Sequence, residues 1–256
     1  MEIKRSLIRY GFWCAILLVP VICILSNMDV LTNVIQEGDN PNFYSVIYIF
    51  NSTTTDGWFL ELIFIIAMLP AGLFYYHDKK ENASTYTLIR TNATTYGRTL
   101  FFSIITITWV CIFVGLMLLL FILCMFFPVS TAVDMMWEPY HVVILAGHPF
   151  LFFIIKSSIL SSLCTVFVSC GLIISTLIAD RFVILVSPFL IYYFTDKISY
   201  AINPRFCVYC FTKANLNLGS VTTSFIGTHL ILLIIVLLLG SIFVSQVERN
   251  VKHADT

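Results

Sequence analysis

The chain is 256 residues long, 59% hydrophobic and only 11% charged, with a formal net charge of zero. An ordinary soluble domain carries about 25% charged residues, and a soluble chain of this length could not hide so much apolar surface, so lipid is the surrounding solvent. The balanced charge excludes a general case for a nucleic-acid partner, and five scattered His at 77, 141, 148, 229 and 253 show no metal-ligand spacing.

In chain order, Lys4, Arg5 and Arg9 precede an apolar run from Gly11 to Leu25. The order of charge and then grease is that of a signal peptide, but no A-x-A-like cleavage site follows, and the sequence predicts a retained first span over about 9–26. A crossing needs about 20 apolar residues at about 1.5 Å each. On that measure the later spans are 57–76, 100–128, 157–179 and 226–247. Residues 182–194 are also apolar, but they are short and broken by Pro188. This fifth element, 180–200, either starts at Asp180–Arg181 and runs to Tyr200, or re-enters the membrane under cover of protein. The expectation is an all-α polytopic transmembrane bundle of six spans in a single domain, 1–256.

Orientation follows from charge. With six spans, Lys4, Arg5, Arg9, Lys79, Lys80, Arg90, Arg98, Arg181, Arg249 and Lys252 fall inside, and Lys156, Lys197, Arg205 and Lys213 outside, ten against four. A five-crossing chain would split them eight against six, so the positive-inside bias favours both termini in the cytoplasm of a cell-membrane protein. Residues 77–99 are then cytoplasmic. Sequons occur at Asn51, Asn82 and Asn92; the last two lie on that side and carry no function here.

The polar stretch between the second and third spans reads as a short surface helix, a corner at Thr91, and a lead into a long span. Asn82 or Ser84 would cap the helix, and Tyr86 shares a face with Ile89 and Arg90. The plain reading is a solvated hairpin, with Lys79, Lys80 and Arg90 reaching anionic headgroups. A compact aromatic and basic helix also suits a soluble partner. Asp78-Lys79-Lys80, Tyr86-Thr-Leu-Ile-Arg90 and Tyr96-Gly-Arg98-Thr-Leu, together with the topology, resemble the membrane subunit of an ATP-binding-cassette (ABC) transporter of the type-2 exporter class. The motifs cover only about residues 75–100; the rest of the likeness is architectural.

That resemblance implies a permease subunit that is no enzyme by itself. It would form half of the translocation pathway and pair with a second permease, as a homodimer or a heterodimer. Its cytoplasmic coupling helix, carrying Ser84, Tyr86, Thr87, Ile89 and Arg90, would dock a separate ATPase. Lys4, Arg5 and Arg9 would match the family's N-terminal interfacial helix, and an outer segment would re-enter the membrane. Export of antimicrobial peptides, or self-protection against them, is the implied setting. The chain has no G-x-x-x-x-G-K-[ST] loop, so ATP and Mg would sit on the partner ATPase and no cofactor on this chain. The rival readings are an accessory membrane scaffold that transports nothing and, behind it, a membrane enzyme.

Four further features are weighed on their residues. Glu61 is a carboxylate one turn into the expected second span; it either lines a transport path or is hydrated near the outer interface. Lys156 divides Pro149–Ile155 from the expected fourth span and is expected to snorkel outward. The run of small residues from Ser157 to Ser175 suits close helix packing or a polar transport surface. Cys207-Val-Tyr-Cys210 is two ligands short of a zinc site and reads as a local disulfide or two free thiols. The other six Cys sit in apolar runs as small hydrophobes, and His229 stands alone in the last span.

Overall fold

The computed structural model describes residues 10–36, 45–55, 58–70, 72–80, 92–130, 140–202 and 220–254. All regular structure among them is helical. The elements are α1 (Tyr10–Ser26), α2 (Met28–Gln36), α3 (Val46–Thr55), α4 (Phe59–Met68), α5 (Phe74–Lys80), α6 (Ala93–Phe126), α7 (His141–Leu145), α8 (Pro149–Leu177), α9 (Arg181–Ile202) and α10 (Val221–Ala254). Four of them, α6, α8, α9 and α10, are long and apolar enough to cross a membrane; α1 with α2, bent by 59° at Asn27, makes a fifth. The chain is a helical, multi-pass membrane protein.

Helix α8 is the axis. Some 78% of its apolar stretch is buried, against 22% in α9 and 28% in α10, so the other helices wrap α8 and turn their own apolar sides outward, as lipid permits. Its small residues make close contact possible. Their hydroxyls close on their own helix: Ser161 donates to the Ser157 carbonyl at 2.7 Å, Ser169 to Thr165 at 2.7 Å and Ser175 to Leu172 at 2.6 Å. Between the two sequence readings of this run the geometry favours packing, because these hydroxyls are not offered to a polar path.

The expected fourth span does not begin at Ser157. Helix α8 runs unbroken from Pro149, and Lys156 is 5% exposed inside the bundle. Pro149 at the first turn sets the start, and nothing between it and Leu177 breaks the helix. Lys156 therefore does not snorkel outward.

The expected second span, 57–76, is not one helix either. It is α4 and α5, parted by Pro70, whose missing N–H cannot continue the ladder. Upstream, α3 continues the same column, with eight of its ten residues buried. Successive contacts with α8 fix its direction: Phe50 meets Phe153 (ring centroids 5.1 Å) and Phe64 meets Phe167 (4.8 Å). Both pairs are 103 residues apart, so α3 and α4 run parallel to α8. The 45–55 part of the expected outer loop 27–56 is thus inside the bundle, and Asn51 is 6% exposed. Helix α3 reads as loop in sequence because Asn51, Ser52 and three Thr close it. Those Thr bond back to carbonyls one turn earlier (Thr53 to Ile49, Thr54 to Phe50, Thr55 to Asn51, 2.6–2.7 Å). The Thr53 carbonyl, freed at the helix end, takes Cys23 Sγ of α1 at 3.0 Å and Asn27 Nδ2, at the bend after α1, at 3.2 Å. A helix that ends in an apolar interior needs such donors.

The fifth element is the longer helix α9, Arg181–Ile202, which is long and apolar enough to cross a membrane. Asp180 caps it, accepting from the backbone N–H groups of Phe182 and Val183 at 2.8 and 3.0 Å. Pro188 leaves the Ile184 carbonyl without its helical donor, and the Ser187 hydroxyl supplies one at 2.8 Å. The remaining helices outrun their expected spans, α6 starting at Ala93 rather than Leu100 and α10 covering 221–254 rather than 226–247.

Candidate functional site

At one end of the bundle, here the basal end, the flanks of the expected coupling segment come together. The Tyr96 hydroxyl donates to Asp78 Oδ2 at 3.0 Å, with both side chains buried. Asn250 Nδ2, near the end of α10, donates to the Thr176 carbonyl at 3.0 Å and to the Tyr75 hydroxyl at 3.3 Å. Thr94 donates to Glu248, and the Arg181 guanidinium lies over the Tyr76 ring, 5.3 Å from its centroid. Four helix ends, those of α5, α6, α8 and α10, are therefore clamped around the point where 81–91 leaves and returns. A groove of about 330 Å³ opens beside the clamp between α6 and α10, with Arg98 and Glu248 among its walls.

Asp78→Ala is expected to destabilise the bundle by about 1.5–3 kcal/mol, the range for a hydrogen bond to a charged group. Tyr96→Phe should cost less, and the double variant less than the sum of the two. Thermal unfolding of the three variants measures this. Strict additivity would mean that the contact does not form.

The docking residues Ser84, Tyr86, Thr87, Ile89 and Arg90, the N-terminal Lys4, Arg5 and Arg9, and the Cys207–Cys210 pair lie outside the described residues. Glu61 alone among the expected site residues is placed, and it lies deeper than the sequence suggests. It is one turn before Phe64, level with the midpoint of the 29-residue α8. On the other side, Thr108 of α6 meets the Ala67 carbonyl at 3.5 Å, and Leu69 O lies 2.8 Å from where a Gly11 Cβ would stand on α1. Counting back at 1.5 Å per residue, these contacts also put Glu61 near the middle of their helices. The reason is α3, which forms the distal half of the column and moves Glu61 away from its end. The Glu61 side chain is exposed on the outside of the bundle.

Lys156 lies beside the C-terminal turn of α3, around a small cavity of about 10 Å³ lined by Phe50, Thr54, Leu116, Ser157 and Leu160. The partial negative charge of that helix end favours an ammonium, and Lys156 Nζ also sits over the Phe152 ring, 5.8 Å from its centroid.

His229 is not alone. Its Nε2 is 2.8 Å from Ser158 Oγ of α8, and its Nδ1 is 2.9 Å from the Phe225 carbonyl. A carbonyl only accepts, so Nδ1 carries the proton, and in the neutral ring Nε2 accepts from the serine hydroxyl. The indole N–H of Trp109 donates to Ser162 Oγ at 3.1 Å one turn further along. Together these contacts border an apolar groove of about 380 Å³ between α6, α8 and α10. The Ser158–His229 pair was not legible in the sequence, because the expected spans start at 157 and 226; the earlier starts of the parallel helices α8 and α10, at Pro149 and Val221, put the two residues at matching depths. The Asp78–Tyr96 pair had no signal beyond its motifs. Among the described residues no three His, Cys, Asp or Glu converge on a metal site.

No family model, curated protein or solved structure matches this chain.

Proposed function

We propose that the chain is the permease subunit of an ATP-driven ABC exporter. It forms half of the translocation pathway and docks a separate ATPase through 77–99. Counting α1 and the interrupted column α3–α4–α5 with the four long helices gives six crossings, with both termini in the cytoplasm of the cell membrane. The ATPase binds ATP and Mg, and a second permease completes the pathway. Export of peptides, in antimicrobial self-protection, follows from the resemblance alone.

The observation that carries this reading is the basal clamp. A hairpin that merely returned the chain would not need a buried Asp–Tyr bond and an Asn bridging two further helices at its base. A clamp of this kind ties the ends of α5, α6, α8 and α10 together, so that a push delivered at the base of the bundle reaches all four. The test is recovery of a phosphate-loop ATPase with the tagged chain from native membranes. The pair should persist in wild type and be lost or weakened at least about tenfold, roughly 1.4 kcal/mol, in Tyr86→Ala with Arg90→Ala. An ATPase-free pull-down would sink the reading.

A second reading, a membrane serine hydrolase, is favoured by the Ser158–His229 contact, since a serine accepting base assistance is the start of acyl transfer. Ser158 is only 9% exposed, which leaves a substrate carbonyl little access to its hydroxyl. The permease reading expects no labelling of Ser158 by a fluorophosphonate, and Ser158→Ala to cost only about 0.6–2 kcal/mol of helix association. Labelling that disappears in Ser158→Ala and His229→Gln would favour the hydrolase.

A further inference from the structure

The groove of about 330 Å³ between α6 and α10 has a graded lining. Its walls are in fixed register: Thr94 donates to Glu248, a Cβ at Gly97 would stand 3.6 Å from Val244 Cα, and one at Gly240 would stand 2.6 Å from the Phe101 ring. From the basal end inward, Glu248 therefore comes first. Arg98 follows one turn above Thr94, about 6 Å along the axis at 1.5 Å per residue. Phe102, Ser241 and Leu237 lie above Arg98. The Arg98 guanidinium is exposed and makes no ion pair among the described residues. Glu248 accepts from Thr94 through one oxygen, which leaves the other for a further donor. Ser241 turns its hydroxyl back to the Leu238 carbonyl at 2.7 Å, and Phe102 and Leu237 are exposed, so the upper half of the groove presents carbon to the membrane.

We infer that this groove holds a phospholipid of the leaflet at the basal end, with a headgroup that ends in a primary ammonium. From the end of the bundle inward the lining runs anion, cation, apolar. Such a lipid runs ammonium, phosphate, acyl chain in the same direction. The planar fork of Arg98 suits the phosphate, Glu248 accepts from the ammonium, and Phe102 and Leu237 lie against the start of the chain. Charge selects among headgroups. A lipid with a phosphate and no ammonium sets its negative charge near Glu248 with nothing to offset the repulsion, and a serine headgroup adds a second carboxylate there. The quaternary ammonium of choline has no N–H to donate and prefers an aromatic face, but the rings of this groove lie on the apolar side of Arg98. A free phosphate would leave the apolar half of the groove without a use. The inference needs only the membrane setting of α6 and α10; it does not rest on the permease reading.

Native mass spectrometry of the purified full-length chain tests the site. The chain is offered equal amounts of phosphatidylethanolamine, phosphatidylcholine and phosphatidylglycerol with the same acyl chains. Wild type is expected to retain phosphatidylethanolamine about tenfold better than either of the others, the worth of one charge-assisted contact. Glu248→Gln should erase that preference by lowering phosphatidylethanolamine alone, and Arg98→Gln should lower all three lipids. Ser241→Phe, which fills the groove above the headgroup, should also lower all three. Arg249→Gln, exposed near the same level but outside the groove, should change nothing. Thermal unfolding before lipid is added separates lost binding from a lost fold. If a headgroup variant fails to fold, the wild-type ranking and Ser241→Phe still decide. Equal retention of the three lipids by wild type, a preference for phosphatidylglycerol, or an ethanolamine preference that survives Glu248→Gln overturns the inference. So does displacement of the lipid by soluble phosphoethanolamine at the same concentration, because the apolar half of the groove would then contribute nothing.

Discussion

Lys156→Glu is expected to prevent the bundle from folding stably. The ammonium is 5% exposed, near the C-terminal turn of α3 and over the Phe152 ring. Reversing the charge turns each of those contacts against the fold. The α3 carbonyl end repels a carboxylate, the ring face repels it, and the new charge is buried without a matching partner. Breaking a buried charge arrangement in this way costs about 3–5 kcal/mol, a large part of a domain's total of about 5–15. Lys156→Met keeps the length and the packing and should cost less than half as much. Detergent-solubilised protein followed by size-exclusion profile and thermal unfolding distinguishes the cases. Equal stability of the Glu and Met variants would mean that Lys156 reaches water and does not lie where α8 places it.

Gly115→Leu is expected to part α1 from α6. A Cβ at Gly115 would stand 2.9 Å from Val19 Cβ and 3.2 Å from the Ile16 carbonyl. Real Cβ atoms essentially never come within 3.0 Å of another carbon as this one would of Val19, the approach to the carbonyl is tighter than most, and neither atom belongs to a flexible chain end. Pro20, inside α1, frees that same Ile16 carbonyl from the helical ladder, so the glycine lies against a backbone already short of a donor. A leucine forces the helices apart by most of a side-chain width, at about 1–3 kcal/mol or more for overpacking. It also moves Cys111, whose thiol reaches the Phe12 carbonyl at 3.6 Å. Gly115→Ala should show part of the effect and Gly147→Ala, which has open space around it but a φ of 81°, a smaller one of backbone origin. A fall in unfolding temperature graded Leu, then Ala, at position 115 is the expected measurement. An unchanged temperature for Leu would contradict the α1–α6 contact.

Apolar run length made the long helices legible. It found α6, α8 and α10 and gave α9 as one of two options, because their interiors carry little but hydrophobes over more than a membrane thickness. It failed where polar residues are satisfied locally. The Thr53–Thr55 cluster looks like an outer loop, yet each hydroxyl closes on its own helix and the segment is buried. Lys156 looks like an interface marker, yet a helix end and an aromatic ring accommodate it. Both misreadings had one source: a residue's side-chain polarity shows in sequence, and the partner that neutralises it does not. Glu61 was visible as a carboxylate in an apolar run, but its depth depended on α3, which the pattern did not reveal. The clamp at the basal end joins residues 18 to 175 positions apart, beyond the reach of any local spacing rule.

ATP-driven transport by this chain requires that the segment between α5 and α6 engage a separate ATPase. Photocrosslinking from that segment tests it most directly. With a photoreactive phenylalanine analogue at Tyr86, in cells with their native partners, the account predicts a covalent adduct to a phosphate-loop ATPase that disappears when Arg90 is changed to Ala. An adduct to lipid or to this chain alone, with the ATPase never captured from Tyr86 or from Ile89, would contradict it.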